Sequence, residues 1–445
     1  MKKILSIALV ICSALLVGCK KDEPVPQQEK ADYTMMVYSM LGGTMDYLIE
    51  DVWAETQQLL PDQKVRVVWL HKYGRPEGFR AEYGQPGEVV MFELTKDTKF
   101  EDVIKAGKID TTLALYDPQN ITAFINWAAE LAPAKEYVLT IFGHGGGFYP
   151  GFDYPKEWAN DGAAAPRRVK NGIVADEWQP GSLTMNMYEL SEGITNSKIK
   201  HFKSIVFHNC LTGGMESLQQ VKSYADYLFA SPFMMTSEDN PLIPVLVKNM
   251  RAEADFETAA RQTVVECQPR FVNGFQHETP DNLNGNQELI KSSELDAVCV
   301  ATRKLSERLC ALYPAQQAAI DTATNHVYRF ANGYPYFDLL DYAQCVAKET
   351  KDEQLQAISQ ELEQAFQRAI IEQVTVDLKA HPAMPSYSLS VFLRSSAKYN
   401  QTVPNREFTM KQAYEYSAFH KATGWGDWLN MNQQEPTGNP CGQVL

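Results

Sequence analysis

The chain has 445 residues, 44% of them hydrophobic, with a formal net charge of −14. That length exceeds what one core of ordinary size needs, so we divide it into a body over residues 33–250 and a C-terminal region over 251–445. The acidic balance argues against a nucleic-acid partner, which would call for a basic stripe to neutralise phosphates.

The first 32 residues read as targeting information. Lys2 and Lys3 precede an apolar run over residues 4–17, too short for an ordinary transmembrane helix. The run ends Leu16-Val17-Gly18-Cys19, which resembles a bacterial lipobox. Cutting before Cys19 would remove residues 1–18 as a signal peptide. Acylation of Cys19 would leave residues 19–32 as a lipidated, flexible tether. Membrane attachment is then expected through the N-terminal lipid only. The expected location is the outer membrane or cell surface of a Gram-negative bacterium, and the charged residues just after Cys19 resemble a surface-export signal. The alternative is an ordinary signal peptide with a chance cysteine.

Residues 33–41 (YTMMVYSML) form an apolar run, followed by Gly42-Gly43 and a helix-like stretch over 46–60. A second strand is read at 64–70, with His71 as a rim candidate just after it. Polar residues lead to a further apolar run at 89–94. Residues 118–131 read as a helix: Asp117 is a good N-cap and Pro118 suits the first helical position. Ile121, Phe124, Ile125, Ala128 and Leu131 share its apolar face, and Pro133 stops it. The run Tyr137-Val138-Leu139-Thr140-Ile141-Phe142 then enters Gly143-His144-Gly145-Gly146-Gly147. Strands and helices alternate, which predicts an α/β fold with a mostly parallel sheet flanked by helices. Over 148–180 the pattern breaks into a long irregular loop, of the kind that is usually functional or disordered. Leu183-Thr184-Met185 leads into a helix over 187–196. Ser204-Ile205-Val206-Phe207 enters His208-Asn209-Cys210-Leu211-Thr212-Gly213-Gly214. A helix over 218–227 and a strand over 227–230 follow. Beyond residue 250 helices dominate, at 257–267, 293–312 and 353–372, with one strand at 387–393.

Of eight cysteines, Cys12 lies in the signal, Cys19 is the lipidation candidate and Cys210 has a chemical role to fill. Cys267, Cys299, Cys310, Cys345 and Cys441 are an odd, widely spaced remainder and make no disulfide framework. No Cys/His cluster has zinc spacing, and no metal or cofactor is required.

Short apolar runs that stop at glycines read as buried strands of a parallel sheet. Chemistry in open α/β sheets collects at the carboxyl ends of such strands. His144 and Cys210 are therefore expected side by side at one sheet edge, the layout of a cysteine hydrolase. A helix N-terminus and a neighbouring imidazolium would favour the Cys210 thiolate. His144 would later protonate the leaving amine. The Gly145 and Cys210 N–H groups would face the oxyanion. The bland alternative is a buried structural cysteine with an unrelated histidine. An esterase, suggested by His-Gly-Gly-Gly, would need a G-x-S-x-G elbow that the sequence lacks.

Several strings in order sharpen this reading. YTMMVYSMLGG, FGHGGGF, the stretch from Gly172-Ile173-Val174-Ala175-Asp176-Glu177 through Leu183-Thr184-Met185 to Glu189-Leu190, and Cys210-Leu211-x-Gly213-x-x-Glu216 all contribute. So do Ala225-Asp226-Tyr227-Leu228, Tyr336-Phe337-Asp338-Leu339-Leu340-Asp341-Tyr342-Ala343, Ser388-Leu389-Ser390-Val391 and Gly424-Trp425-Gly426-Asp427-Trp428-Leu429. Together, over roughly residues 33–429, they resemble the clostripain family (C11) of cysteine peptidases, relatives of caspases and gingipains. The resemblance implies a caspase-like sheet, a His144–Cys210 dyad and hydrolysis of peptide or protein substrates. It also exposes departures. The family usually reads Asp-Ala-Cys, and that aspartate helps bind a basic P1 side chain. Here His208 and Asn209 stand there, and an imidazole cannot pair with arginine as a carboxylate does. His208 and Asn209 are substrate-binding candidates, unless His208 only packs beneath the site. Asp176, Glu177, Glu238 or Asp239 could replace the missing charge. Residues 240–244 would shape the substrate groove. Some relatives cut themselves after a basic residue between histidine and cysteine, which makes Arg167, Arg168 and Lys170 a possible processing loop. Calcium activates some relatives, and Asp176-Glu177 could offer oxygens. The competing function is a non-catalytic surface lipoprotein that uses this fold to bind peptide.

Overall fold

The computed structural model describes residues 30–43, 45–148, 174–176, 183–233, 235, 241–278, 284–331, 334–377, 388–402 and 409–437. The signal segment, Cys19, Arg167, Arg168, Lys170, Glu177, Glu238, Asp239 and Cys441 lie outside the described residues.

Thirteen strands occur among the described residues. They are β1 (Ala31–Met40), β2 (Val65–Lys72), β3 (Glu88–Leu94), β4 (Lys108–Ile109), β5 (Ala134–Gly143), β6 (Val174–Asp176) and β7 (Leu183–Met185), followed by β8 (Phe202–His208), β9 (Ala225–Ala230), β10 (Asn284–Lys291), β11 (Tyr336–Asp338), β12 (Ile370–Asp377) and β13 (Ser390–Phe392). Nine of them form one sheet in the order β12-β10-β9-β8-β5-β1-β2-β3-β4. The centre, β2-β1-β5-β8-β9, is parallel, and both flanks are antiparallel.

The central strands read as unbroken apolar runs because helices cover both faces. Along β1, Met36, Tyr38 and Met40 enter one core and Met35 and Val37 the other. The first core is closed by helices such as Pro118–Leu131, Met187–Asn196 and Met215–Val221. The second is closed by Tyr47–Gln57, Leu242–Ala252 and Phe256–Glu278. The helix over residues 118–131 forms as its signals predict: the Asp117 side chain accepts from the Gln119 N–H, and Ile121, Phe124, Ile125 and Ala128 are buried.

The structure differs from the sequence reading in several places. A short helix, Phe100–Ala106, and the two-residue β4 form an edge with little burial, so no apolar period marks them. The stretch expected to be helical to residue 227 stops at Val221, passes through a 3-10 turn and becomes β9 at Ala225. The helix expected over 353–372 ends at Ala369, and its β-branched continuation Ile370-Ile371 begins β12. Part of the expected irregular loop is ordered, with β6 pairing antiparallel to β7. Strands β10 and β12, from beyond residue 250, complete one flank of the central sheet. No helix among the described residues is long and apolar enough to cross a membrane.

Candidate active site

The strands β5 and β8 are neighbours, with Phe142 paired to His208, so the segments that follow them leave the sheet side by side. These segments carry His144 and Cys210.

Backbone contact holds the two segments together. A Cβ on Gly143 would stand 2.3 Å from the Met40 carbonyl oxygen, and one on Gly145 would stand 2.3 Å from the Cys210 carbonyl oxygen. Only glycine permits that approach. The Asn209 side-chain amide donates to the carbonyls of Gly143 (2.9 Å) and His144 (3.3 Å). Asn209 is 1% exposed and cross-braces the segments that carry His144 and Cys210.

His144 is half-buried and its Nε2 is shut off from solvent. Burial pushes the imidazole down to about 4, against a hydrogen bond to the Leu41 backbone that favours the protonated ring. The resting imidazole is therefore neutral near pH 7. This replaces the sequence-based expectation of a standing imidazolium: burial disfavours the charge.

Cys210 is half-buried and forms no disulfide. Its Sγ accepts the Met235 N–H at 3.2 Å. The segment that carries Cys210 lies against residues 231–233, because the Leu211 N–H donates to the Phe233 carbonyl (2.9 Å) and the Gly213 N–H to the Ser231 carbonyl (2.8 Å). Leu211, directly after the cysteine, has φ 59, a left-handed conformation that costs a leucine about 1 kcal/mol or more. The turn ends at Gly214, where the helix Met215–Val221 begins. Burial raises the Cys267 thiol, moves Cys299 up to about 12 and Cys310 up to about 11, and Cys345 is buried. Burial thus disfavours the thiolate at Cys267, Cys299 and Cys310.

His208 lies one layer below. It is 4% exposed and stacks on Phe142, with ring centroids 4.0 Å apart and planes 5° apart. Asp176 is in β6. Among the described residues no group of three or more His, Cys, Asp or Glu could hold a metal ion.

Sequence reasoning missed the aromatic wall. The Tyr336 hydroxyl donates to the Gly146 carbonyl at 2.7 Å, and a Cβ on Gly147 (φ 67) would fall 2.6 Å from that hydroxyl oxygen. Tyr334 stacks with Tyr336, centroids 6.0 Å apart. Burial raises the Tyr334 phenol, and the nearby Cys210 adds to the shift. Both tyrosines lie about 125 residues after Cys210, and no local pattern announces such a contact. Glu216 was read only as part of a motif. It is buried and binds the C-terminal region: one oxygen accepts the Phe392 N–H (2.9 Å) and the Tyr414 hydroxyl (2.6 Å). Burial raises its carboxyl to about 7.

His71, expected at the rim, is fully buried, because β3 and the helix Tyr47–Gln57 cover the end of β2.

None of the curated proteins compared with the chain matches it. Solved structures do. A secreted C11 cysteine protease from Bacteroides thetaiotaomicron, in complex with an irreversible peptide inhibitor, matches with a TM-score of 0.59 at 17% identity, covering 89% of this chain and 99% of that one. The structure of such a secreted protease from the same organism, "iotapain", gives a TM-score of 0.57 at 14% identity, covering 88% and 99%. An inactive zymogen C11 protease from Parabacteroides distasonis gives 0.56 at 17% identity, covering 88% and 98%. At these identities the likeness establishes the caspase-like fold. The family model for the Clostripain family matches residues 81–431, a span that holds His144, Cys210, the glycines between their segments and the Tyr336 wall. With well over half its sequence matched, the chain belongs to the clostripain family of cysteine peptidases.

Proposed function

We propose that the protein is a cysteine endopeptidase in which Cys210 and His144 form the dyad. The observation that carries this is the pairing of β5 with β8, reinforced by the Asn209 brace and the Gly145–Cys210 contact. The neutral imidazole is suited to act as a base. As Sγ attacks the scissile carbonyl, the thiol proton passes to His144, and the Gly145 and Cys210 N–H groups face the oxyanion. The imidazolium then protonates the departing amine, leaving a thioester. Water, deprotonated by His144, hydrolyses the thioester and restores the thiol. A buried, ring-stacked His208 gives no carboxylate to a basic P1 side chain. We therefore propose that any basic preference comes from acids elsewhere, such as Glu238 or Asp239.

The proposal extends to placement and control. Cys19 is the acylation site and holds the enzyme at the cell envelope. Arg167, Arg168 and Lys170 form a loop open to processing, and calcium could engage Asp176 and Glu177.

Replacement of the family's S1 aspartate by His208 motivates a second reading, a peptide-binding lipoprotein without turnover. One experiment separates the two. The purified protein is profiled on a diverse peptide library beside Cys210→Ala, with and without calcium and trypsin treatment. Cleavage that disappears in Cys210→Ala supports the peptidase and reads out P1. Equal cleavage in both proteins sinks the dyad. Peptide binding without cleavage favours the second reading.

A further inference from the structure

A second histidine stands one layer behind the catalytic pair. His71, Ser39, Phe142 and His208 are register partners across β2, β1, β5 and β8. Side chains in register on parallel strands share a face. They form one row beneath the segments that bear His144 and Cys210.

Within this row Ser39, His71 and Asp46 are linked. The Ser39 hydroxyl donates to the Leu70 carbonyl (3.1 Å) and lies 2.9 Å from His71 Nδ1. On the far side of the ring, His71 Nε2 faces Asp46 Oδ1 at 3.5 Å, and neither atom has a hydrogen-bond partner among the described residues. The second Asp46 oxygen accepts the Gly74 N–H at 2.7 Å. Tyr73 and Trp53 clamp the imidazole edge-on, with centroids 4.6 and 6.0 Å away. The nearby Glu50 is engaged elsewhere, by the Tyr73 hydroxyl and the N–H groups of Tyr83 and Gly84.

This serine–histidine–aspartate group is not a hydrolytic triad. All three residues are 0% exposed, so no substrate reaches the Ser39 hydroxyl. Its significance is where its ends fall. Ser39 and Asp46 flank the loop that runs from Met40, the last residue of β1, to the helix Tyr47–Gln57. That loop carries the Leu41 backbone to which His144 is hydrogen-bonded, and Met40, against which Gly143 packs. One imidazole thus lies against both ends of the loop that seats the His144 ring. Burying an aspartate and a histidine carries a desolvation cost that an apolar cluster would avoid. What the polar group adds is a fixed geometry.

We propose that Ser39, His71 and Asp46 are positioning residues that hold the Leu41 backbone against the His144 ring. The kinetic part of this inference rests on the peptidase reading, and the spectroscopic part does not.

The test compares wild type with Ser39→Ala, which removes one hydroxyl, and Ser39→Thr, which restores it. The downfield imidazole N–H proton of His144 is followed by NMR and assigned by its absence in His144→Ala. We expect the resonance in wild type and Ser39→Thr, and its loss to exchange in folded Ser39→Ala. Alongside, kcat of Ser39→Ala should fall about 10- to 100-fold with KM within about twofold, the signature of a displaced catalytic group. A Ser39→Ala protein that keeps the resonance and a kcat within about twofold overturns the inference. So does a wild type with no such resonance. A resonance lost in Ser39→Ala, with no Cys210-dependent cleavage by any protein, leaves the positioning role standing and removes the peptidase reading.

Discussion

The imidazole of His208 lies flat on the ring of Phe142, centroids 4.0 Å apart, and so joins the last residue of the cysteine strand to its partner in the histidine strand. A contact of this kind is worth about 0.5–1.5 kcal/mol beyond the buried area. It places His208 in the floor of the site. Restoring the family's acid with His208→Asp should therefore lose the stack and bury a carboxylate. We expect a protein less stable by about 2 kcal/mol or more, with no new cleavage after lysine or arginine. Denaturant melts and a P1 profile check this. A stable variant with a gained basic preference would place position 208 in the S1 wall instead.

The buried His144 makes a prediction about pH. Its folded value, about 4, lies below the ordinary 6.5. The unfolded chain therefore takes up a proton below about 6.5 that the folded chain refuses until about 4. Stability from this group is present above that window and is lost as pH falls through it. In the proposed mechanism the same neutral ring is the base for Cys210. The acid limb of kcat/KM should thus lie nearer 4 than 6.5. A pH–rate series shows it, and a limb at 6.5 would mean that the ring is solvated in the working enzyme.

Gly145 has no room for a side chain. In Gly145→Ala the added methyl would meet the Cys210 carbonyl oxygen at 2.3 Å, and the two segments must separate. Displacing the dyad by about 1 Å costs on the order of 100-fold in kcat. We expect that loss with the fold retained, measured by steady-state kinetics and circular dichroism. Activity within about twofold of wild type would show that the contact does not set the geometry.

Glu216 titrates in the opposite sense to His144. Its carboxyl is raised from 4.5 to about 7 by burial, so the folded state holds a proton that the unfolded state releases. Its contribution is full below about 4.5 and is lost as pH rises through about 7. Glu216→Gln keeps an acceptor for the Phe392 N–H and the Tyr414 hydroxyl and cannot ionise. Between pH 4.5 and 8 wild type should lose about 3 kcal/mol relative to this variant. Urea melts of both proteins at several pH values decide it. Parallel curves would mean that the carboxylate is solvated in the folded protein.

The strands that carry the chemistry were legible because burial on both faces makes them plain apolar runs, and glycines mark where they stop. That the segments carrying His144 and Cys210 leave neighbouring strands followed from that alone. The helix Met187–Asn196 was legible from its periodicity, and its Asn186 and Glu189 form a reciprocal cap. Legibility failed where a residue's meaning depends on a distant partner. Nothing around Tyr336 says that its hydroxyl meets Gly146, and nothing around His71 says that Ser39 and Asp46 flank it. Ile370 was read as helix because the amphipathic period of residues 353–369 runs into it. The neighbouring strand β10, some eighty residues earlier, decides otherwise.

The contacts of Tyr336, Phe392 and Tyr414 bear on when the protein can act. A ribosome, or a translocon threading the chain from its N-terminus, releases both His144 and Cys210 while the residues that brace Gly146 and Glu216 are still to come. Truncated chains ending before Tyr336 should therefore contain the whole dyad and cut no peptide, and an assay of nested truncations would reveal any that do. If the peptidase reading holds, completion of the polypeptide works as a timer, and half-made copies in transit pose no proteolytic danger to the cell that makes them.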